Sequence, residues 1–357
     1  MIRPTQTPEK NGPAKTNLAP ALLALFEKRL EGDDSLLELA RLRCQQFGLG
    51  AEMHASAPEE LEHLMRFRPA PESPVVVHLP RHFNLADPRS QEQILAIASR
   101  FSGRVNGLLL HDHPEFATNA EKFIHAARDL NSRLLKISSA PVVFVEYAAG
   151  LEPEVFVGFF DSIRDLSLVS AAVDTGHVGI WQARQSFAQN HMAYDVCSLK
   201  KQPADLPGLM PDVQAAVRSA LPALLNLIKS LGQLRKPVHF HLHDGHPLST
   251  FSPFGVSDHL SFFAQIPLRF EYRGRKSVGP MYGPEGLREI ARAAVRAFAP
   301  ERVSFTLEIH PTFEQSPLGD ATGLFGHWTD KANAEKMNHW LALLGRNAEL
   351  LKGYVSS

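Results

Sequence analysis

Cysteine is nearly absent from this chain, which has two of them among 357 residues. Cys44 and Cys197 are too few for a disulfide framework and form no Cys-x-x-Cys metal motif, which is typical of a reducing compartment. The sequence also lacks the apolar core of a signal peptide near its start and any uninterrupted apolar run of about 18 residues. We therefore expect a cytoplasmic protein with no membrane-spanning segment.

Charge of one sign is not in excess either: 37 Lys and Arg face 38 Asp and Glu, for a formal net charge of −1. A nucleic-acid duplex or an anionic membrane would require a basic surface, and no Lys/Arg cluster is longer than Arg273-Gly-Arg-Lys276. No Gly-x-Gly-x-x-Gly motif follows an early strand, which argues against an open dinucleotide-binding sheet. We expect a small-molecule substrate rather than a nucleic acid. The sequence is also compatible with a homo-oligomer.

Histidine, in contrast, is abundant, with 17 copies. Its densest cluster is Pro237-Val-His-Phe-His-Leu-His-Asp-Gly-His246, in which apolar residues alternate with His239, His241 and His243 before an Asp-Gly turn. This period of two predicts a β-strand with its imidazoles on one face. Because neutral imidazole is the commonest transition-metal ligand in proteins, the cluster favours a metal site, with hydrogen-bonded core or surface histidines as the alternative.

Strand-like and helix-like segments alternate along the rest of the chain. The predicted strands cover residues 50–54, 75–78, 107–111, 142–147, 169–174, 238–243, 267–272 and 303–309. The predicted helices cover 58–67, 91–101, 119–134, 153–165, 213–234, 284–298 and 331–351, with one or two more within 21–47. Eight strands that alternate with helices pair in parallel through right-handed crossovers, and eight such units close into a (β/α)8 TIM barrel. We predict a disordered leader over 1–20 and one barrel domain with N-terminal helices over 21–357, with irregular insertions at about 180–210 and 245–265.

Residues that can carry chemistry stand at the ends of these strands, where a barrel of this kind has its active site. The candidates are His54, His78, His111, Glu146, Asp174, His241 and Glu308. Glu146 and Glu308 end apolar runs, where a buried carboxylate needs a salt bridge or a metal ion. In Asp174-Thr-Gly-His177, the aspartate could cap the following segment, or it could face one cavity together with His177. We expect the set to converge on one mouth.

The remaining histidines and acids near the strand ends carry weaker expectations. Supporting or surface positions are expected for His54, His113, His246 and His310. Asp112 and Asp244 could orient imidazoles from outside.

Four motifs resemble the xylose-isomerase-like barrel superfamily: Val-Val-Phe-Val-Glu146, Asp174-Thr-Gly-His177, His241-Leu-His-Asp244 and Phe-Thr-Leu-Glu308, in this order and at these strand ends. The resemblance covers about residues 75–310. This superfamily contains sugar isomerases, ketose 3-epimerases, inosose dehydratases and the endonuclease IV branch. The resemblance implies that Glu146, Asp174, His241 and Glu308 chelate one divalent ion, with His177 close to the substrate.

A metal-dependent isomerase or epimerase of a small sugar, polyol or related hydroxy-carbonyl compound is the first hypothesis. Such an enzyme removes a proton beside a carbonyl group and stabilises the enediolate, and a divalent cation polarises the carbonyl oxygen. Glu146 and Glu308 are then the expected acid/base pair as well as metal ligands. Carboxylate and imidazole ligands suit Mn, Co, Zn or Fe.

A multinuclear hydrolase of the endonuclease IV type, acting on a phosphoester or another small polar substrate, is the alternative. The resemblance to that branch adds His78, His111 and His177 as ligands, and the stretch Leu248-Ser-Thr-Phe-Ser252 is similar to it. That branch also has an Asp-x-His element, for which this chain offers the adjacent pair Asp258-His259. Several ions suit hydrolysis, in which one activates water and others stabilise the leaving oxygen. A barrel that has lost catalysis and binds a ligand is a third hypothesis.

Two features beside the candidate ligands suggest substrate contacts. Trp181 could form an apolar wall against a sugar ring or take part in ordinary loop packing. Arg273 and Arg275, with Arg269 and Lys276, could clamp a phosphate or carboxylate, or they could belong to a solvated loop.

Overall fold

The computed structural model describes residues 21–25, 33–148, 150–201, 206–249, 270–272, 275–278, 281–308 and 334–355. Its central sheet is parallel and contains β2 (Gly50–His54), β3 (Val75–His78), β4 (Gly107–His111), β5 (Val142–Glu146), β6 (Val169–Asp174), β7 (Val238–Leu242) and β10 (Val303–Leu307). A further strand, β1 (Ala21–Leu25), pairs in parallel with β10 on one side and with β2 on the other, which closes the strand order into a barrel. The predicted α/β barrel is therefore confirmed.

Helices lie between the strands and pack against the outer face of the barrel. They are α1 (Asp34–Gln46), α2 (Pro58–Leu64), α3 (Pro88–Arg100), α4 (Ala120–Leu134), α5 (Pro153–Ser162), α6 (Thr175–Ala188), α7 (Leu206–Arg218), α8 (Ala220–Gly232), α9 (Gly283–Ala297) and α10 (Ala334–Val355). Several begin at capping side chains: Asp87, for example, accepts hydrogen bonds from the first turn of α3, which begins with Pro88, three residues before the predicted start. No helix in the described ranges combines the length and hydropathy needed to cross a bilayer.

The strands bury different side chains on their two faces. Outward-facing residues such as Val75, Leu108 and Phe240 join the helices in one large apolar core. Inward-facing residues of β3 to β6 form a smaller apolar cluster in the barrel lumen: Val76, Leu109, Val142, Phe144 and Ala172. Burial on both faces explains why the strands of this parallel barrel read as continuous apolar runs.

The predictions for residues 21–47 and 267–272 are wrong. Residues 21–47 were expected to be helical, but Ala21–Leu25 forms β1 and the helix is Asp34–Gln46. A short Ala/Leu run has no periodicity that separates a buried strand from a helix. The predicted strand at 267–272 is not in the barrel: Phe270–Tyr272 (β8) pairs antiparallel with Arg275–Val278 (β9). Only Arg273-Gly274 separates these strands, which is the spacing of a two-residue hairpin.

The segment after Asp174 also differs from the prediction. Residues 180–210 were expected to be irregular, but α6 starts immediately after Asp174 and runs to Ala188. The helix predicted over 213–234 is two helices that meet at Ser219. Pro222 lies in the first turn of the second helix, where its missing N–H has no intrahelical partner to lose. The predicted leader at 1–20 and most of the insertion predicted at 245–265 lie outside the described residues.

Candidate metal centre

The carboxyl ends of six strands, β3 to β7 and β10, bring six of the predicted ligands together at one mouth of the barrel, with His177 from the first turn of α6 beside them. Each group of three potential ligands has donor atoms within 4.8 Å of one another. The groups at the mouth are His78, His111 and Glu146; Glu146, Asp174 and His177; and Asp174, His241 and Glu308. They share Glu146 and Asp174, so the predicted residues form one continuous cluster.

Glu146, the last residue of β5, occupies the centre of this cluster. Its Oε2 lies 3.4 Å from His78 Nε2 and 3.3 Å from His111 Nε2. Its Oε1 lies 3.3 Å from Nδ1 of His241. The two oxygens of one carboxylate therefore face two different sets of imidazoles.

Asp174 has both of the roles considered from the sequence. It caps α6 because its Oδ1 accepts a hydrogen bond from the backbone N–H of His177 at 2.7 Å. The same oxygen lies 2.9 Å from His243 Nε2. Its Oδ2 lies 3.8 Å from His177 Nε2 and 3.9 Å from His241 Nδ1, so the second oxygen faces the cluster. Capping and ligation are compatible here because each uses a different oxygen.

His241, in β7, is held on both sides by carboxylates. Its Nδ1 lies 2.7 Å from Glu308 Oε2, while its Nε2 lies 3.0 Å from Glu52 Oε1. Glu52 lies in the middle of β2 and is fully buried in the barrel lumen. Below the mouth, Glu52, His239 and His241 form a further group of potential ligands that the sequence did not suggest. The only signal for it was the position of Glu52, because the alternation of β2 puts Glu52 and His54 on the same face.

The pKa values of these groups reflect strong mutual attraction inside a buried site. Burial alone would lower the pKa of His241, but the carboxylates of Glu308, Glu52 and Glu146 outweigh it and raise that pKa well above the usual value. Burial opposes ionisation of Glu146, yet His241 and His111 bring its pKa well below the ordinary range. For His111, burial dominates and lowers the pKa to about 4. Without metal, Glu146 is therefore ionised and His241 is protonated.

This donor set fits a divalent metal ion. Glu146 Oε2 and His241 Nδ1 are buried, and neither makes a hydrogen bond of normal geometry within the described part of the chain. In the same part of the chain, the basic groups within 4 Å of Glu146 are histidines, with no lysine or arginine among them. An ion in place of the His241 proton would ligate these atoms and neutralise the carboxylates. Imidazole and carboxylate donors suit Mn, Co, Zn or Fe, as expected from the sequence.

The supporting histidines take varied positions. His54 stacks on His78 with ring centroids 4.5 Å apart, so it adjoins the cluster. His113 accepts a hydrogen bond from the backbone of Glu115, and His246 is fully buried and accepts one from Leu248. His310 lies outside the described residues.

The two aspartates expected to orient imidazoles contact the backbone. Asp112 Oδ1 accepts a hydrogen bond from Ala148 N at 3.0 Å, in the loop after β5. Asp244 accepts hydrogen bonds from the N–H groups of Gly245, Tyr282 and Gly283, and so links the end of β7 to the start of α9. These contacts hold the loops around the mouth.

The residues proposed for substrate contact are only partly described. Trp181 is half-buried in α6, packs against the apolar core and lies close to Gly150, which agrees with ordinary loop packing. Arg275 begins β9, outside the barrel sheet. Arg273 and the predicted ligands Asp258 and His259 lie outside the described residues. Their roles stay predictions.

Comparisons with known proteins add nothing to the fold or to the site. No protein-family model and no curated protein matches this chain. Among solved structures, a variant of the carboxyl transferase domain of Rhizobium etli pyruvate carboxylase, determined with pyruvate, is 11% identical over 97% of this chain and 54% of that one, with a TM-score of 0.40. The same domain in another structure is 14% identical over 96% and 48%, with a TM-score of 0.26. This chain thus spans about half the length of these structures, and likenesses of this degree indicate no activity.

Proposed function

We propose that the protein is a metal-dependent hydrolase that holds a pair of divalent ions on either side of Glu146 and acts on a phosphoester or another small polar substrate. The observation that carries the proposal is the orientation of Glu146. Its Oε2 lies within 3.4 Å of His78 and His111, and its Oε1 lies 3.3 Å from His241. Glu146 could therefore serve both ligand sets, His78 and His111 through one oxygen and His241 through the other side of the carboxylate.

The ligands divide naturally between two ions. His78, His111 and Glu146 would hold one, and Glu146, Asp174, His241 and Glu308 would hold the other. When bound, such a pair supplies an activated water and stabilises the leaving oxygen of a displacement reaction. The protein contributes the fixed, buried donors that set the spacing of the pair.

His177 is placed to move a proton beside this pair. Its Nδ1 lies 3.3 Å from the backbone oxygen of Tyr147, which can only accept, so the imidazole donates from Nδ1. The lone pair is then on Nε2, which faces Asp174 Oδ2 across 3.8 Å. His177 can therefore take a proton from an attacking water at Nε2, a role that typically contributes ~10²–10⁴-fold to the rate.

The substrate class follows from charge as well as from the ligands. The chain has a formal net charge of −1, so a long polyanion finds no general attraction to it. A small phosphoester needs only the local positive charge that two ions provide. We therefore favour a small substrate over a nucleic acid.

A metal-dependent isomerase or epimerase is the second candidate, and one observation favours it. Glu308 Oε2 and Glu146 Oε1 lie 2.7 Å and 3.3 Å from the same atom, His241 Nδ1. Together with Asp174 they make a complete set for a single ion, with two carboxylates that could give and take a proton. In this alternative, His78 and His111 only shape the pocket.

Metal stoichiometry separates the two candidates. We would measure metal per chain by elemental analysis of freshly purified protein, beside the His78→Ala/His111→Ala double variant. The hydrolase predicts two or more ions in the parent and fewer in the variant, with turnover of bis(4-nitrophenyl) phosphate lost in the variant. A single ion retained in both proteins would replace the hydrolase with the isomerase and direct the assays to ketoses and polyols. No stoichiometric ion in the parent would overturn both.

Glu308→Gln tests the ligand set that both candidates share. Glu308 lies against His241 at the mouth and is almost fully buried. We expect turnover to fall by at least ~10²-fold, as for loss of a positioned proton-transfer group, with weaker metal binding and an intact fold by circular dichroism. Near-normal turnover in this variant would remove Glu308 from the site.

A further inference from the structure

We propose that Glu52 is a positioning residue that selects which nitrogen of His241 faces the metal, and so sets the affinity of one ion of the pair. The inference rests on the proposed metal site and adds a residue below it. Glu52 Oε1 lies 3.0 Å from His241 Nε2, on the lumen side of the ring. His241 Nδ1, on the mouth side, lies 2.7 Å from Glu308.

The hydrogen-bond logic of an imidazole explains the selection. A carboxylate only accepts hydrogen bonds, so an ionised Glu52 requires a proton on His241 Nε2. With that proton fixed, the lone pair of the neutral ring is on Nδ1, toward Glu146 and Glu308. The hydrogen bond from Thr306 Oγ1 and the imidazole nitrogens of His239 and His241 beside the Glu52 carboxylate favour its ionised form.

Glu52 is itself held in place from below. Its Oε2 accepts a hydrogen bond from Thr306 Oγ1 at 2.5 Å and lies 3.2 Å from His239 Nε2. His239 Nδ1 lies 2.7 Å from Ser304 Oγ. The same Oε2 lies 3.2 Å from His241 Nε2, and Oε1 lies 3.0 Å from it, so this network holds the carboxylate against the lumen-side nitrogen of His241.

Packing alone does not account for a carboxylate at this depth. Glu52 is fully buried, and the described basic groups within 4 Å of it are the imidazoles of His239 and His241, with no lysine or arginine among them. An apolar side chain would fill the same space without the cost of burying a charge, as Leu109 does on the other side of the lumen. A carboxylate behind a metal-binding imidazole, in contrast, fixes its tautomer and raises its basicity.

The effect should be unequal between the two ions. Among the described residues, Glu52 makes ion-pair contacts with His239 and His241 and none with His78 or His111. Loss of a carboxylate behind a metal ligand typically weakens metal affinity by ~10–100-fold. We expect that loss for the ion held by His241 and little change for the ion held by His78 and His111.

The test uses Glu52→Gln in the full chain, titrated with Co²⁺ after metal removal. Calorimetry gives the affinities, and the visible absorption of Co²⁺ reports its coordination. We expect one affinity to fall by ~10–100-fold and the other to stay within threefold of the parent. Imidazole ¹⁵N spectra of the metal-free and Zn²⁺-loaded proteins should show the Nε2–H form of His241 in the loaded parent and a mixture of forms in the variant.

Controls in the same network separate positioning from stability. Thr306→Val removes the donor to Glu52 Oε2 but leaves the carboxylate facing His241. For the ion at His241 we therefore expect a change in log Kd less than half of that in Glu52→Gln. Ser304→Ala touches only His239 and should leave both affinities unchanged. If Glu52→Gln does not fold, Glu52→Asp is the substitute, because it keeps the charge but withdraws it from His241 Nε2. It should lower the affinity for the same ion, the one held by His241.

Three outcomes would overturn the inference. An equal loss of affinity for both ions in Glu52→Gln, or no loss for either, would show that Glu52 does not act through His241. Unchanged affinities with a lower melting temperature of the metal-free variant would make its role structural. These results concern Glu52 alone if the parent binds Co²⁺ stoichiometrically, whereas a parent that binds none overturns the proposed function and this inference together.

Discussion

The lumen of the barrel has two halves that differ in chemistry although both are buried. On β3 to β6 most of the inward residues below the mouth form an apolar cluster, Val76, Leu109, Val142, Phe144 and Ala172, with Ser170 as a polar exception. On β2, β7 and β10 the inward residues are polar: Glu52, His239, Ser304 and Thr306. Buried polar groups are costly unless their partners are supplied, so an apolar lumen all round would be the cheaper solution.

The candidate ligands above the two halves show what the difference achieves. Every ligand on these strands stands two positions after a lumen residue, because successive inward positions on a strand are two residues apart. On the apolar half, His111 stands two residues after Leu109. The backbone can orient ligands there: His78 Nδ1, for example, lies 3.0 Å from the carbonyl oxygen of Leu79. His241 instead stands above His239 and beside Glu52. We infer that the apolar half supplies packing, while the polar half supplies the proton arrangement of His241.

Leu109→Ala tests the apolar half and should have the largest effect on stability. Leu109 is fully buried in the lumen cluster. Its truncation leaves a cavity, which typically lowers the free energy of unfolding by about 2–5 kcal/mol. We expect that loss in denaturant unfolding of the metal-free protein, with the metal content of the purified variant unchanged. Loss of metal without loss of stability would contradict the division between the halves.

The double variant Glu52→Leu/His239→Leu removes the contrast by making the polar half apolar. Replacement of a buried ion pair by apolar residues is often neutral or stabilising by about 1–4 kcal/mol. We expect the metal-free variant to be at least as stable as the parent, with weaker binding of the ion at His241.

Denaturant unfolding with and without Co²⁺ measures both effects of this double variant. A large loss of stability in the metal-free state would mean that the polar half is structural. Thr306→Val alone is the matched control, because it alters the network without removing Glu52.

The sequence indicated which residues meet at the mouth of this barrel, but not which residues contact one another in its lumen. Strand ends are marked by a carboxylate or imidazole after an apolar run, and Glu146, Asp174 and His241 were found by that pattern. Convergence then follows from parallel pairing, since all carboxyl ends meet on one side of the sheet. Glu52 was missed because it lies in mid-strand, and its partners His241 and Thr306 are about 190 and 250 residues away in the chain.

The strand errors have a related cause. Ala21–Leu25 is too short and too uniform to show a period, and only its pairing with β10 and β2 identifies it. Phe270–Tyr272 has the alternation of a strand, yet its partner is the next segment along the chain rather than the barrel. Local pattern gives the type of an element, whereas its neighbours depend on the whole chain.

The pH dependence of stability should show a further contrast outside the lumen, between two buried residues that follow β7, Asp244 and His246. Burial raises the pKa of Asp244 to about 7, against the backbone N–H groups that favour its charged form. Between pH about 4 and about 7 the folded state then binds more protons than the unfolded state, so Asp244 makes stability fall as pH rises. Burial lowers the pKa of His246 to about 3, so His246 makes stability rise with pH up to about 6.5. The two contributions oppose each other over the shared window.

Variants of these two residues should therefore change the pH slope in opposite directions. Relative to the parent, Asp244→Asn should make the free energy of unfolding rise more steeply between pH about 4 and 6.5, by up to about 1.4 kcal/mol per pH unit. Relative to the parent, His246→Gln should make it rise less steeply by a similar slope, because the opposing contribution of Asp244 is then left without that of His246. Urea unfolding of the metal-free proteins at several pH values measures both. Parallel pH profiles for the parent and both variants would show that the pKa of neither group changes on folding. The electrostatic contrast would then be confined to the residues of the barrel.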